Sequence, residues 1–190
     1  MKKLVAATHN KGKLAEMKKI LSEYDIISVG EFDNGVEPIE DGETFAENAL
    51  IKARSAYASS NLPSFGDDSG LCVDALNGAP GVYSARFAET PKACNERLLR
   101  ELEGVKEEDR TARFISVIAY VDGQTEFVVE GKCEGKILFS EEGTEGFGYD
   151  PLFYSIDLNK PFGIATMEEK NSVSHRARAI AELKKKLMTL

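Results

Sequence analysis

The spacing of apolar residues along the chain changes between strand-like and helix-like periods. An apolar run over Lys3–Ala7 predicts a buried strand. The segment at about residues 11–23 predicts a helix, because apolar and aromatic residues recur there at helical spacing: Leu14, Met17, Leu21 and Tyr24. We therefore expect the chain to open with a strand followed by a helix.

Three further helices are predicted, and the second of the chain also has clear end signals. Thr44 and Glu47 form a capping-box pattern that predicts the start of the second helix, which ends near Asn61–Pro63. Its apolar stripe consists of Phe45, Ala49, Ala53, Ala56 and Tyr57. The third helix is predicted over Pro91–Glu103 and the last over about Ser174–Leu187.

The other clear elements are strands. The β-rich run Arg113–Val121, the dipeptide Asp122-Gly123 and the run Glu126–Glu130 together predict a hairpin. Ser64–Gly70 predicts a short strand that runs into a polar turn. A hairpin beside strands that alternate with helices implies an α/β fold with a mixed sheet. The chain shows no internal repeat or linker, so residues 1–190 are predicted to form a single domain.

Composition and charge narrow the possible functions. A chain of 190 residues can bury a core without disulfides, and no stretch of about 18 apolar residues predicts a membrane span. The three widely spaced cysteines, Cys72, Cys94 and Cys133, fit a reducing and therefore cytoplasmic compartment. The net charge of −8 argues against stable nucleic-acid binding, although a locally basic phosphate site remains compatible with it.

Basic residues open two predicted helices, where the helix dipole disfavours them by about 0.3–1 kcal/mol each. Lys11 and Lys13 open the first helix, and His175, Arg176 and Arg178 open the last. A bound anion would explain this arrangement, because backbone N–H groups and basic side chains can then act together. The alternative is that these are solvated surface cations.

Carboxylates collect in two places. Glu40 belongs to an acidic segment before the second helix, and Asp67-Asp68 follow a predicted strand. Hard oxygen ligands of this kind suit Mg²⁺, and adjacent side chains on a strand diverge, so only one of the two aspartates can face a metal. The alternatives are ordinary helix-dipole partners for Glu40 and a plain turn for Asp67–Gly70.

Two other features allow both a functional and a structural interpretation. Asn48 and Lys52 share a helix face that could point at the acidic loop or at phosphate, although the residues alone favour a solvated lysine. The glycine-rich loop Gly143–Pro151 carries Phe147, which could stack on a base or cap the core. His9 is interpreted as a loop residue rather than a catalyst.

Six segments, in this order and spread over nearly the whole chain, closely resemble the inosine triphosphate pyrophosphatase family, which hydrolyses non-standard purine nucleoside triphosphates. They are Ala7–Lys13, Glu40–Ala49, Asp67–Leu71, Gly81–Phe87, Gly146–Pro151 and Glu169–Arg176. The resemblance implies an elongated mixed α/β fold with flanking helices and two lobes around a central substrate cleft. It also implies a homodimer, Mg²⁺ as cofactor, and cleavage between the α- and β-phosphates of ITP, dITP or XTP.

The resemblance also assigns roles by matching position. Asp68 and Lys13 would be catalytic, and Glu40 and Asp68 would bind Mg²⁺. The substrate-binding set would be Thr8, His9, Asn10, Lys11, Gly12, Lys13, Lys52, Ser69, Phe147, Gly148, Tyr149, Asp150, Lys170, His175 and Arg176. Within it, Thr8, Asn10 and Lys13 would hold the polyphosphate, and Phe147 would stack on the purine.

Discrimination among bases would come from the last helix. By family analogy, His175 and Arg176 would donate to the 6-keto oxygen of hypoxanthine or xanthine. Adenine would leave those buried donors unpaired, a mismatch that can supply discrimination on the order of 10⁴. Rejection of guanine needs a further element near its 2-position, which the sequence does not identify.

The implied mechanism is in-line attack by water, with Asp68 as the proton acceptor. Metal ligation lowers the pKa of a carboxyl, so Asp67 remains an alternative base. Two competing functions also stay open. One is a related pyrophosphatase that acts on modified pyrimidines or standard triphosphates, and the other is a nucleotide-binding module without turnover.

Overall fold

The computed structural model describes residues 2–190, which form one seven-stranded sheet with flanking helices. The strands are β1 Lys2–Ala6, β2 Tyr24–Ser28, β3 Ser64–Val73, β4 Thr111–Val121, β5 Glu126–Ile137, β6 Phe153–Ser155 and β7 Lys160–Pro161. The α-helices are α1 Lys11–Ile20, α2 Phe45–Ser60, α3 Pro91–Glu101, α4 Met167–Val173 and α5 His175–Leu187.

The sheet is mixed, as predicted. Its strand order is β2-β1-β3-β4-β5-β6-β7. Strand β1 pairs in parallel with β2 and β3, whereas β6 pairs antiparallel with β5 and β7. Over residues 2–190, no helix is both long and apolar enough to cross a membrane.

The chain divides into two compact units. The first unit holds the chain up to Asp68 together with Ser116–Gly131 and Arg178–Leu190, and the second holds Ser69–Ile115 and Lys132–Ala177. The core of the first unit packs α5 and α1 against the sheet through Leu4, Met17, Phe65, Ile118, Ile180 and Leu183. The core of the second unit includes Leu71, Leu98, Phe114, Ile137, Leu152, Phe153 and Phe162.

The predictions made from end signals are confirmed. Thr44 caps α2 by accepting from the backbone N–H of Glu47, whose side chain accepts from Thr44 in return. The stripe residues Ala49, Ala53 and Ala56 are fully buried. The hairpin also forms, because β4 and β5 are neighbours joined through Asp122, which accepts from the backbone N–H groups of residues 124 and 125.

Two predictions from the pattern are wrong. The first helix ends at Ile20, and Tyr24 begins strand β2, which the sequence pattern did not predict. The helical spacing continues to Tyr24 by coincidence, since residues 24–28 instead pair in parallel with β1. The predicted turn at Asp67–Gly70 also does not exist, because these residues lie inside the ten-residue strand β3. Strands β6 and β7 and helix α4 were likewise not predicted.

Candidate functional site

The turn from β1 into α1 is organised by two polar side chains. The Asn10 Oδ1 atom accepts from the backbone N–H groups of Gly12 at 2.9 Å and Lys13 at 3.1 Å, which caps α1. The Thr8 hydroxyl oxygen accepts from the Asn10 backbone N–H at 3.2 Å. Lys11 is exposed beside them. This helix start combines a positive dipole end with basic side chains, which favours binding of an anion.

Lys13 reaches a buried carboxylate. Its ammonium donates to Asp67 Oδ2 at 2.8 Å, and the Asp67 side chain is only 1% exposed. The other carboxylate oxygen, Oδ1, accepts from the Ser116 hydroxyl at 2.6 Å. Lys13 is therefore a paired cation rather than a solvated one, and Asp67 connects α1 to the sheet.

Lys52 holds the second carboxylate pair. Its ammonium lies 2.7 Å from Asp68 Oδ1 and 2.9 Å from Glu40 Oε2, and the side chain is 12% exposed. The alternative of a solvated lysine is therefore wrong. Asp67 and Asp68 contact different lysines, which confirms that the two adjacent side chains diverge from the strand.

A close approach of β3 to α2 brings these groups together. A Cβ atom on Gly66 would lie 2.5 Å from the Ala49 carbonyl oxygen, so only glycine fits there. The fully buried Asn48 then bridges two segments. Its Oδ1 accepts from the Gly42 N–H at 2.9 Å, and its Nδ2 donates to Asp68 at 3.4 Å.

The pKa of the Asp68 carboxyl is raised in this cluster. Burial raises the pKa of the Asp68 carboxyl above its usual value, and the charges of Glu40 and Asp67 add to this effect. The Lys52 ammonium works in the opposite direction without cancelling it. Burial disfavours the charged form of Lys52, yet Asp68 and Glu40 together raise its pKa.

The same cluster suits a divalent cation. Two carboxylates from separate segments, Glu40 and Asp68, already converge on one positive group. Within residues 2–190, no three His, Cys, Asp or Glu side chains group as a metal site. Mg²⁺ needs fewer, because it commonly takes one or two carboxylates and completes its shell with water and substrate phosphate. The donor set therefore fits Mg²⁺.

His9 contacts the acidic loop that leads to Glu40. Its Nδ1 lies 2.9 Å from Glu37 Oε1, and its Nε2 lies 3.2 Å from Asp33 Oδ1. The hydrogen bond with Asp33 raises the pKa of His9, against a lowering by burial. The side chain of His9 is thus engaged with the protein, and its contact with substrate stays a prediction.

In the second unit, Phe147, Asp150 and Lys170 form one group. Lys170 donates to Asp150 Oδ2 at 2.5 Å, and the same oxygen accepts from the Phe147 N–H at 2.7 Å. The ammonium of Lys170 also lies 4.5 Å from the centre of the Phe147 ring. Asp150 and Lys170 are buried, whereas Phe147 is 52% exposed. An exposed aromatic ring beside a fixed cation can accept a stacked base.

His175 and Arg176 are both buried at the start of α5. The His175 ring stacks on Phe114 with the ring centres 4.8 Å apart. Arg176 donates to the Ser69 hydroxyl at 3.2 Å, which connects two predicted site residues. Because both side chains are buried, His175 and Arg176 are not the solvated surface cations of the alternative interpretation.

Gly148 contacts its neighbours through its backbone, whereas Tyr149 contacts them through its side chain. The Tyr149 ring belongs to the core, and its hydroxyl donates to the Ser84 carbonyl oxygen at 2.8 Å. The Gly148 carbonyl oxygen accepts from Asn95 Nδ2 at 3.1 Å. The structure thus gives Tyr149 a packing role, and its contact with substrate stays a prediction.

Several residues of these clusters were not singled out from the sequence. Ser116, Asp33 and Asn95 lie far along the chain from the groups that they contact, so no local spacing relates them. Ser116 does carry a signal, because it is the only polar residue in the run 114–119. A polar side chain in a buried strand needs a hydrogen-bond partner.

The chain is similar to known proteins over nearly its full length. The model of the Ham1 family matches residues 4–186. A protein of Desulforamulus reducens named dITP/XTP pyrophosphatase is 50% identical over 184 residues, covering 94% of this chain and 92% of that protein. A protein of Haemophilus influenzae with the same name is 48% identical over 192 residues, covering 97% and 98%. The solved structure of a HAM1 protein from Coxiella burnetii gives a TM-score of 0.92 at 38% identity, covering 100% of both chains.

These similarities agree with the fold and with the motifs. The solved structure supports the mixed sheet with flanking helices. The relatives carry the name of a nucleoside triphosphate pyrophosphatase, which is the kind of enzyme that the six sequence segments resemble. The family match covers all but a few residues at each end. This chain belongs to the Ham1 family.

Proposed function

We propose that this protein hydrolyses non-standard purine nucleoside triphosphates, namely ITP, dITP and XTP, to the nucleoside monophosphate and pyrophosphate, and that the reaction depends on Mg²⁺. The observation that carries the proposal is the cluster in which Lys52 contacts both Glu40 and Asp68. The names of the relatives, dITP/XTP pyrophosphatase, support the same activity. The reaction would remove these nucleotides from the cellular pool.

The first unit is proposed to bind the metal and the triphosphate. Glu40 and Asp68 would hold Mg²⁺, which when bound would neutralise charge on the phosphate oxygens. Lys13 and Lys52 would contact phosphate oxygens, and the capped start of α1 would add backbone N–H donors from Gly12 and Lys13. Thr8 and Asn10 would shape this turn.

Asp68 is proposed as the proton acceptor. The nucleophile would be a water molecule that attacks phosphorus in line with the α–β bridging oxygen and passes its proton to Asp68. Burial raises the pKa of the Asp68 carboxyl above its usual value, and bound Mg²⁺ would act in the opposite direction. Asp67 is the alternative base. Both of its oxygens accept hydrogen bonds, from Lys13 and Ser116, as do both oxygens of Asp68, from Lys52 and Asn48.

The second unit is proposed to bind the base. Phe147 would stack on the purine, with Lys170 and Asp150 fixing the loop that carries it. The buried donors of His175 and Arg176 would recognise the 6-keto oxygen. A 6-amino base would leave such donors unpaired, so ATP would be a poor substrate.

We also propose that the enzyme acts in the cytoplasm as a homodimer. The absence of a disulfide framework in the sequence supports the compartment. The resemblance to the family is the basis for the dimer. Sedimentation velocity would test it: a species of the monomer mass at micromolar concentration would contradict the proposal.

Product analysis tests the proposed reaction. The protein is incubated with ITP and Mg²⁺, and pyrophosphate and orthophosphate are measured separately. We expect inosine monophosphate and pyrophosphate in equal amounts. Release of orthophosphate as the first product would refute cleavage between the α- and β-phosphates.

A further inference from the structure

A fully buried serine, Ser116, contacts the ionic group of the first unit, which consists of Lys13 and Asp67. Ser116 lies in β4, in a run whose other members are apolar, and it is 0% exposed. Its hydroxyl donates to Asp67 Oδ1 at 2.6 Å. Burying a hydroxyl without a partner costs free energy, so the contact with Asp67 accounts for a polar residue at this position.

Asp67 connects Ser116 to Lys13, which is a predicted phosphate-binding residue. Its Oδ2 accepts from the Lys13 ammonium at 2.8 Å, while its Oδ1 is held by Ser116. A carboxylate with one oxygen fixed presents the other in a defined direction. The lysine side chain is long and loses rotamer freedom when it is held, so a fixed acceptor determines where its ammonium rests.

We propose that Ser116 is a positioning residue, which sets the Lys13 ammonium for phosphate binding by fixing the Asp67 carboxylate. Ser116 acts only through Asp67 and Lys13. The inference rests on the proposed function, in which Lys13 contacts the triphosphate.

A double-mutant cycle tests the proposal, with inorganic tripolyphosphate as the probe and its dissociation constant measured by calorimetry without Mg²⁺. In the presence of Lys13, we expect Ser116→Ala to weaken binding about five- to tenfold, or about 1–1.4 kcal/mol. In a Lys13→Met background, the same change should alter binding less than twofold, because that variant has no Lys13 ammonium for Ser116 and Asp67 to position. Ser116→Thr keeps the hydroxyl and should restore most of the affinity.

Ser64→Ala is the matched control. Ser64 is also 0% exposed, and its hydroxyl donates to the Leu62 carbonyl oxygen at 2.8 Å, apart from the ionic group. Ser64→Ala also removes a buried serine hydroxyl and its hydrogen bond, here to a neutral carbonyl oxygen, so the melting temperature should fall while the tripolyphosphate affinity stays unchanged. If Ser116→Ala does not fold, Ser116→Cys, which donates weakly, takes its place in the cycle with a smaller expected loss.

Three outcomes would overturn the proposal: equal losses with and without Lys13, no loss in either background, or no binding of tripolyphosphate by the unaltered protein. The proposed function is tested separately by ITP turnover in the unaltered protein. If the unaltered protein does not hydrolyse ITP but the tripolyphosphate cycle gives the expected result, the proposed activity is refuted and the positioning role of Ser116 is supported.

Discussion

The ammonium nitrogen of Lys52 lies 2.7 Å from a carboxylate oxygen of Asp68, and both side chains are largely buried. The same nitrogen contacts Glu40 at 2.9 Å, so two acidic side chains share one basic partner. The single positive charge of Lys52 only partly neutralises the two carboxylates of Glu40 and Asp68. A metal cation that binds beside Lys52 would therefore still meet negative charge. This relationship leads to predictions about catalysis, metal binding and stability.

Replacement of the two adjacent aspartates should separate their roles. Asp68→Asn removes the proposed proton acceptor and should lower kcat for ITP by about 10²–10⁴-fold. Asp67→Asn weakens the hold on Lys13 and should mainly raise KM. Steady-state kinetics with ITP and Mg²⁺ measures both. If only Asp67→Asn abolishes turnover while metal affinity survives, the assignment of Asp68 as the base is wrong.

Replacement of Lys52 should increase the effect of Mg²⁺ on stability. Lys52→Met leaves Glu40 and Asp68 without their ammonium, and breaking a buried pair in this way costs about 3–5 kcal/mol. Added Mg²⁺ should recover part of this loss, so the melting temperature of the variant should rise more with Mg²⁺ than that of the unaltered protein. Exposed Lys18→Met is the control and should show the ordinary response. An identical response in all three proteins would argue against metal binding at this pair.

Phe147 should contribute to substrate affinity and little to folding. Phe147 is 52% exposed and its ring contacts the Lys170 ammonium, so Phe147→Ala should change the free energy of unfolding by only about 0.5–1 kcal/mol. Loss of a stacked base costs about 1–3 kcal/mol, which predicts at least a fivefold rise in KM for ITP. Phe139→Ala removes another exposed ring, 62% exposed and stacked on Arg110, and should leave KM unchanged. Equal KM values for the two variants would exclude stacking on Phe147.

His9 should titrate above its ordinary value of 6.5. The hydrogen bond with Asp33 raises the pKa of His9, and Asp33→Asn should lower it. A raised folded-state pKa means that the pair stabilises the protein below pH 6.5 and that this stabilisation is lost as pH rises through the folded-state pKa. The imidazole proton signals of His9, followed by NMR against pH, give the midpoint. A midpoint at or below 6.5 would contradict the ion pairs with Asp33 and Glu37.

Elements with local signals were predictable from the sequence, and elements that depend on distant pairing were not. The Thr44 and Glu47 capping box and the Asp122 turn act within a few residues, and both form as predicted. Strand β2 exists because residues 24–28 pair with β1. The spacing of apolar residues within one segment does not indicate its pairing with another segment. The spacing that ends at Tyr24 therefore favoured a helix.

The candidate site shows the same division. Asp67 and Asp68 are a polar pair that a local interpretation places in a turn. They stay inside a strand because partners from distant segments, Lys13, Lys52 and Ser116, satisfy their charges and hydrogen bonds. The acidic residues and lysines could be nominated from the sequence, whereas their pairing required the fold.

Selectivity among triphosphates distinguishes the proposed function from its alternatives. The kcat/KM of the unaltered protein is measured for XTP, dITP, ITP, GTP and ATP, with Mg²⁺ present and pyrophosphate as the product detected. Because a 6-amino base would leave the buried donors of His175 and Arg176 unpaired, we expect kcat/KM for the three non-standard triphosphates to exceed that for ATP by a factor on the order of 10⁴. Comparable kcat/KM values for ATP and ITP would refute the proposed selectivity for non-standard purines.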